Sequence, residues 1–112
     1  MIEFSDVLQA ANLLKDRVIR TPLVYSPTFS RLANAEVYLK LESLQMGGSF
    51  KVRGATYKLQ SNLEKIHSGV IAASVGNHAH GVALAASAAG VPATIIMPLW
   101  ASISKQEATR AY

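Results

Sequence analysis

The chain has 112 residues, enough for one small domain and too few for two. Half of them are hydrophobic and 16% are charged, which supplies a packed core and excludes intrinsic disorder. The net charge of +4 comes from scattered basic residues rather than the dense stripe a nucleic-acid surface needs, and with no cysteine there is neither a disulfide framework nor a thiolate metal site.

Met1–Asp6 is acidic and has no basic segment followed by an apolar one, so no secretory signal is expected. Ser5 is a candidate cap for a first helix carrying Val7, Leu8, Ala11 and Leu14 at helical spacing and ending near Val18. Pro22 forces Thr21 into an extended shape, and Leu23–Tyr25 reads as a short strand. Pro27 opens a second short helix with Phe29 and Leu32 facing inward. From Glu36 to Glu42, Val37, Leu39 and Leu41 alternate with Tyr38 and Lys40, the pattern of a half-buried strand.

A loop from Ser43 to Gly48 precedes a helix capped by Ser49 and running to about Leu59. No Lys, Arg, Asp or Glu occurs between Lys65 and Lys105. A membrane span is the first thing such a run suggests, but Gly90 and Pro92 fall where a spanning helix needs its middle. A better account is a strand at Val70–Ala73, a turn at Ser74–Gly76, a helix at Asn77–Ala89 ended by Gly90, and a strand at Ala93–Met97. Strands covered on both faces read as continuous apolar runs of this kind. Pro98 ends the second strand, and Ser102–Ala111 begins another helix. The order strand, helix, strand makes a βαβ unit with parallel strands and a right-handed crossover. Ligands in such sheets bind at the carboxyl ends of the strands, here Ser74–His78.

Two clusters carry chemistry. In Glu42–Ala55 a lysine, Lys51, stands just inside a helix start, after Gly47–Gly48 and beside Phe50. The positive end of the helix dipole and nearby Arg53 both favour a neutral amine, the form that condenses with a carbonyl. Taken alone, the cluster also fits an ordinary solvated lysine. In Ser74–Gly81, small and polar residues join a buried strand to a helix, and free N–H groups at Gly76, Asn77 and His78 would suit a carboxylate or a phosphate. Other motifs fail on their residues. Gly76 and Gly81 have P-loop spacing, but Val82 and Ala83 replace the required lysine and hydroxyl, and GxGxxG does not occur. His78 and His80, two apart on a helix, do not face one another, so no metal site is expected.

Lys40–Gln45, Ser49–Ala55, Ser74–His78 and Gly81–Ala83, with Thr21–Leu23 ahead of them, resemble the fold-type-II pyridoxal-phosphate (PLP) enzymes, and within these threonine dehydratase and its relatives, including serine racemase. The resemblance runs from about Phe4 to Tyr112. It implies an α/β, three-layer parallel-sheet fold of the tryptophan synthase β type, here incomplete. Residues 1–66 would begin the larger PLP domain and residues 67–112 the smaller substrate-loop domain. Family members are roughly three times longer, a two-domain size.

The resemblance also assigns roles. Lys51 matches the lysine that forms an imine with PLP, Phe50 the aromatic beside the cofactor, and Asn77 the asparagine that hydrogen-bonds its ring hydroxyl. Ser74, Gly76, Asn77 and His78 match the loop that receives the substrate carboxylate. Val75 stands where serine racemase has a serine acting as a second acid/base, which disfavours racemisation. Val52 and His78 stand where cysteine-synthase-like enzymes usually have aspartate and threonine. The implied activity is PLP-dependent deamination of L-threonine, or L-serine, to a 2-oxo acid and ammonia, in cytoplasmic amino-acid metabolism such as isoleucine biosynthesis. The full-length enzyme would be a homo-oligomer with a small amino-acid substrate and no nucleic-acid or membrane partner. The chain alone is expected to bind PLP weakly and to be inactive, because the Gly-rich phosphate loop is not among its residues. The alternative outside enzymology is a degenerate remnant whose open sheet edge pairs with a partner.

Overall fold

The uncharged stretch folds as the βαβ unit its pattern predicts. In the computed structural model, which describes residues 1–112, β3 (Val70–Ala73) and β4 (Ala93–Ile96) are parallel, with Val70 opposite Ala93 and Ala73 opposite Ile96. The crossover is α4 (Asn77–Ala89), which stops just before Gly90. No helix is long and apolar enough to cross a membrane.

Ahead of this unit lie α1 (Phe4–Leu14), β1 (Leu23–Tyr25), α2 (Pro27–Ala33), β2 (Tyr38–Lys40) and α3 (Lys51–Gln60), and α5 (Ile103–Arg110) follows it. β1 and β2 form a separate antiparallel pair, with Leu23 opposite Lys40 and Tyr25 opposite Tyr38. The rings of Tyr25 and Tyr38 meet edge-on at 5.4 Å.

Several local expectations are corrected. α1 ends at Leu14 and not near Val18, because Asp16 takes a left-handed conformation with φ of 64°. Its N-cap is Glu3 and not Ser5: the Glu3 N–H donates to Asp6 Oδ2 at 2.8 Å and the Asp6 N–H to the Glu3 carbonyl. The strand expected over 36–42 is ordered as a strand only over Tyr38–Lys40, since Glu42 already belongs to a tight turn. Phe29 and Leu32, expected to face inward, are exposed. So are Ile71 and Ile96, because α4 covers one face of the β3–β4 pair and the other face is open to solvent.

The core lies between α3 and α4. Val52, Ala55, Thr56 and Leu59 recur at helical spacing along α3 and meet Ala79, Val82, Ala85 and Ala86 of α4. Ile66, Val70, Ala72 and Ile95 pack against this seam and carry it onto the parallel strands. Small side chains on α4 let the two helices approach closely. Only 16 of 112 residues are buried, and the radius of gyration is 16.3 Å against about 13 Å for a compact domain of this length. The chain is therefore an extended layer built on one helix pair.

Candidate functional site

Lys51 is the first residue of α3, with Phe50 at the N-cap. Two successive left-handed residues, Gly47 and Gly48, turn the chain into this position, with φ of 69° and 68°. Gly47 also lies directly on α4: a Cβ there would come within 2.7 Å of Leu84 Cδ1. The Ser49 hydroxyl, expected as the cap, sits one residue earlier and accepts a long bond of 3.4 Å from the Lys51 N–H. The Lys51 side chain is exposed, and its Nζ stands 4.9 Å from the centre of the Phe50 ring. The Lys51 side chain is in no ion pair.

The two sequence clusters meet at Gly81. A Cβ on Gly81 would fall 2.9 Å from the Lys51 carbonyl carbon, 3.0 Å from Val52 N and 3.1 Å from Lys51 Cβ. The main chain of α4 thus touches the main chain of α3 at the lysine itself. Asn77 precedes Gly81 by four residues and His78 by three, so both lie on this same face of α4, one turn nearer its N-terminus. Both side chains are exposed. Their N–H groups stand at the first two positions of α4, where no intrahelical partner exists. Gly76 differs from expectation: its N–H is not free but donates to Ser74 Oγ at 3.2 Å. The cradle therefore offers the N–H groups of Asn77 and His78, with the Ser74 hydroxyl beside them.

A polar network on the other side of α3 was not singled out in the sequence. Arg53 donates from Nε to Glu42 Oε2 at 2.8 Å and from Nη2 to Glu42 Oε1 at 2.7 Å, with a further bond to the Ile19 carbonyl at 3.0 Å. The Thr21 hydroxyl also donates to Glu42. Gln45, buried, exchanges two bonds with the backbone of Ile19, at 2.8 and 2.9 Å. The paired guanidinium holds the Glu42 carboxyl down at about 2, well below its usual 4.5, against the opposing effect of burial, and Thr21 adds to the lowering. Glu42 in turn raises Arg53. Arg53 is thus neutralised by Glu42 and is not the bare cation beside Lys51 that its sequence position suggested. The signal was in the sequence: Thr21, Glu42, Gln45 and Arg53 all fall in the motif segments, yet no periodicity pairs residues 21 and 53.

His80 Nε2 is buried without a hydrogen-bond partner, and its ring lies 6.0 Å from that of Tyr112. A cavity of about 590 Å³ opens between α4, β4 and α5 along Ala83, Ile95 and Thr109. None of the candidate site residues Phe50, Lys51, Ser74, Gly76, Asn77 and His78 lines it, so candidate site and cavity do not coincide.

An unpaired lysine beside an aromatic ring, packed at Gly81 against the helix whose first turn offers two free N–H groups, fits an aldehyde cofactor. Comparison with known proteins gives the same answer. The family described as pyridoxal-phosphate dependent enzyme matches residues 14–112. The L-threonine ammonia-lyase of Thermotoga maritima is 50% identical over 111 residues, covering 98% of this chain and 28% of that protein. Among solved structures, serine racemase from Dictyostelium discoideum superposes with a TM-score of 0.90 at 31% identity, covering 99% of this chain and 37% of that one. The processed form of threonine deaminase isoform 2 from Solanum lycopersicum superposes with a TM-score of 0.78 at 37% identity, covering 98% and 32%. The chain spans about a third of the length of these relatives. With residues 14–112 matched, and with α/β architecture shared with fold-type-II enzymes, the chain belongs to the pyridoxal-phosphate-dependent enzyme family.

Proposed function

We propose that this chain is the N-terminal part of an enzyme that deaminates L-threonine to 2-oxobutanoate and ammonia, and that also accepts L-serine. The observation that carries the reading is the packing of Lys51 against Gly81, one turn from Asn77 and His78. In support, the T. maritima relative is named for threonine ammonia-lyase activity.

Lys51 is the residue that bonds the cofactor. Pyridoxal phosphate supplies a conjugated pyridine ring that takes up the electron pair left when the α-proton departs. The chain's own residues do the rest. The Lys51 amine would accept the α-proton. Phe50 would flank the cofactor, and Asn77 would hydrogen-bond its ring hydroxyl. Ser74, Gly76, Asn77 and His78 would receive the substrate carboxylate, with Asn77 and His78 presenting free N–H groups and Gly76 tied to Ser74 Oγ through its own N–H. Val75 has no proton to give, so the chemistry is elimination rather than racemisation, despite the close superposition on a serine racemase.

Residues 1–66 would begin the larger domain and residues 67–112 the smaller one, each with its own sheet and with the α3–α4 seam packed across the boundary. The full-length enzyme is a cytoplasmic homo-oligomer. The 112 residues alone bind the cofactor weakly and turn over no threonine. The deciding experiment replaces Lys51 in a complete enzyme. Lys51→Ala should abolish both the imine absorbance and the cofactor–protein bond trapped by borohydride, and a trapped bond persisting in that variant refutes the assignment.

A further inference from the structure

We propose that Gly81 is a positioning residue for Lys51: the missing side chain at 81 sets how closely α4 approaches the lysine's main chain, and so fixes Lys51 relative to Asn77 and His78. The inference rests on the reading of Lys51 as the amine that condenses with an aldehyde.

Glycine is a poor helix former, yet Gly81 lies in the interior of α4 and is buried. The reason is clearance. An added Cβ would meet the Lys51 carbonyl carbon at 2.9 Å, Val52 N at 3.0 Å and Lys51 Cβ at 3.1 Å. Two of these are main-chain atoms, and a Cβ cannot rotate aside, so one helix must shift. α3 has little freedom to retreat, since Arg53 ties its first turn to Glu42 and to the Ile19 carbonyl. The displacement therefore falls on the α3–α4 distance at Lys51, and it moves the helix face that carries Asn77 and His78. Gly54 provides the contrast. It is a helical glycine on α3, three residues from Lys51, exposed, with nothing within 4 Å of an added Cβ.

The chemical step that reads the position is simple. The Lys51 nitrogen bonds to the aldehyde carbon of pyridoxal phosphate, and the aldehyde oxygen leaves as water with the two amine protons. Hydride from added borohydride, with a proton from water, then reduces the new carbon–nitrogen double bond to a stable secondary amine. Peptide mass mapping gives the ratio of labelled Lys51 to labelled Lys58, an exposed lysine on the same helix that serves as internal reference.

In the unaltered chain and in Gly54→Ala, Lys51 should be preferred over Lys58, and Gly54→Ala should raise the thermal midpoint by improving helix propensity. Gly81→Ala, built on Gly54→Ala so that the added stability keeps the chain folded, should lower the Lys51 preference by about tenfold, as expected for a reacting group misplaced by a fraction of an ångström to an ångström. A folded Gly81→Ala chain that keeps the full preference overturns the proposal. Loss of the fold in that background overturns it too, because Gly81 would then serve the fold and not the lysine. Equal labelling of Lys51 and Lys58 in the unaltered chain strikes at the assignment of Lys51 itself, a different failure from either of these.

Discussion

The α3–α4 pair and the N-terminal layer of α1, β1, α2 and β2 have similar apolar content but different fates. In the pair, Val52, Ala55, Leu59, Ala79, Val82 and Ala86 are all at most 7% exposed. In the N-terminal layer, Phe4, Leu8, Leu23, Phe29 and Leu32 are all at least 49% exposed. α1 buries no residue at all. An apolar stripe at helical spacing thus says that a face can be covered, not that this chain covers it. The candidate site residues Lys51, Asn77 and His78 begin the two helices of this covered seam, while their own side chains are exposed.

The sharpest way to break this contrast is a matched pair of truncations. Leu59→Ala should cost about 2–5 kcal/mol, because it removes a buried side chain from a seam too small to collapse around the void. Leu8→Ala should change stability by no more than about 0.5 kcal/mol, because the side chain is already half in water. Urea denaturation followed by circular dichroism measures both. Equal losses would mean that the N-terminal layer carries weight its exposure does not show.

Legibility in the sequence follows the same division. The βαβ unit was readable to within a residue at most of its ends, because strand, turn, helix and Gly90 each leave a local signal. The seam between α3 and α4 was not, since Gly81 meeting Lys51 is a contact between distant stretches of sequence that no period encodes. The helix end at Leu14 escapes the sequence because Asp16, left-handed just beyond it, looks like any charged residue on a helix. The two-sided burial expected for β3 and β4 failed for a different reason. Their apolar residues are suited to a second covering layer, and only the α4 side is covered here. Lys51, Asn77 and His78 stand out as candidates through their motifs, whereas the Glu42–Arg53 network emerges only from geometry.

A middle-sized effect tests whether that network joins the two regions. Ile19 and Thr21 belong to the N-terminal layer, and Arg53 belongs to α3. Removing Arg53 leaves the half-buried Glu42 carboxylate without its strongest partner, at a cost of about 1–3 kcal/mol. The pH dependence has a definite sign. The folded-state value of Glu42 lies at about 2, below its usual 4.5, so its contribution to stability is fully present above 4.5 and is lost as the pH falls toward 2. The thermal midpoint should decline across that window, and Glu42→Gln should flatten the decline. An unchanged slope in Glu42→Gln would detach the network from the stability of the chain.

The smallest expected effect separates local from tertiary stability within the N-terminal layer itself. α2 has seven residues, begins with Pro27 after Ser26, and buries only Ser30. With so little packing, its persistence depends on its ends: Ser26 Oγ accepts from the Phe29 N–H at 3.4 Å, and Asn34 closes the helix in a left-handed conformation. A bond that long is weak, so Ser26→Ala should cost about 0.5 kcal/mol, the low end for removing such a cap. Amide hydrogen exchange should show faster exchange confined to α2, with the amides of α3 and α4 unchanged. Faster exchange spreading to α4 would mean that the two regions unfold as one unit, and that the exposed apolar layer supports the lysine after all.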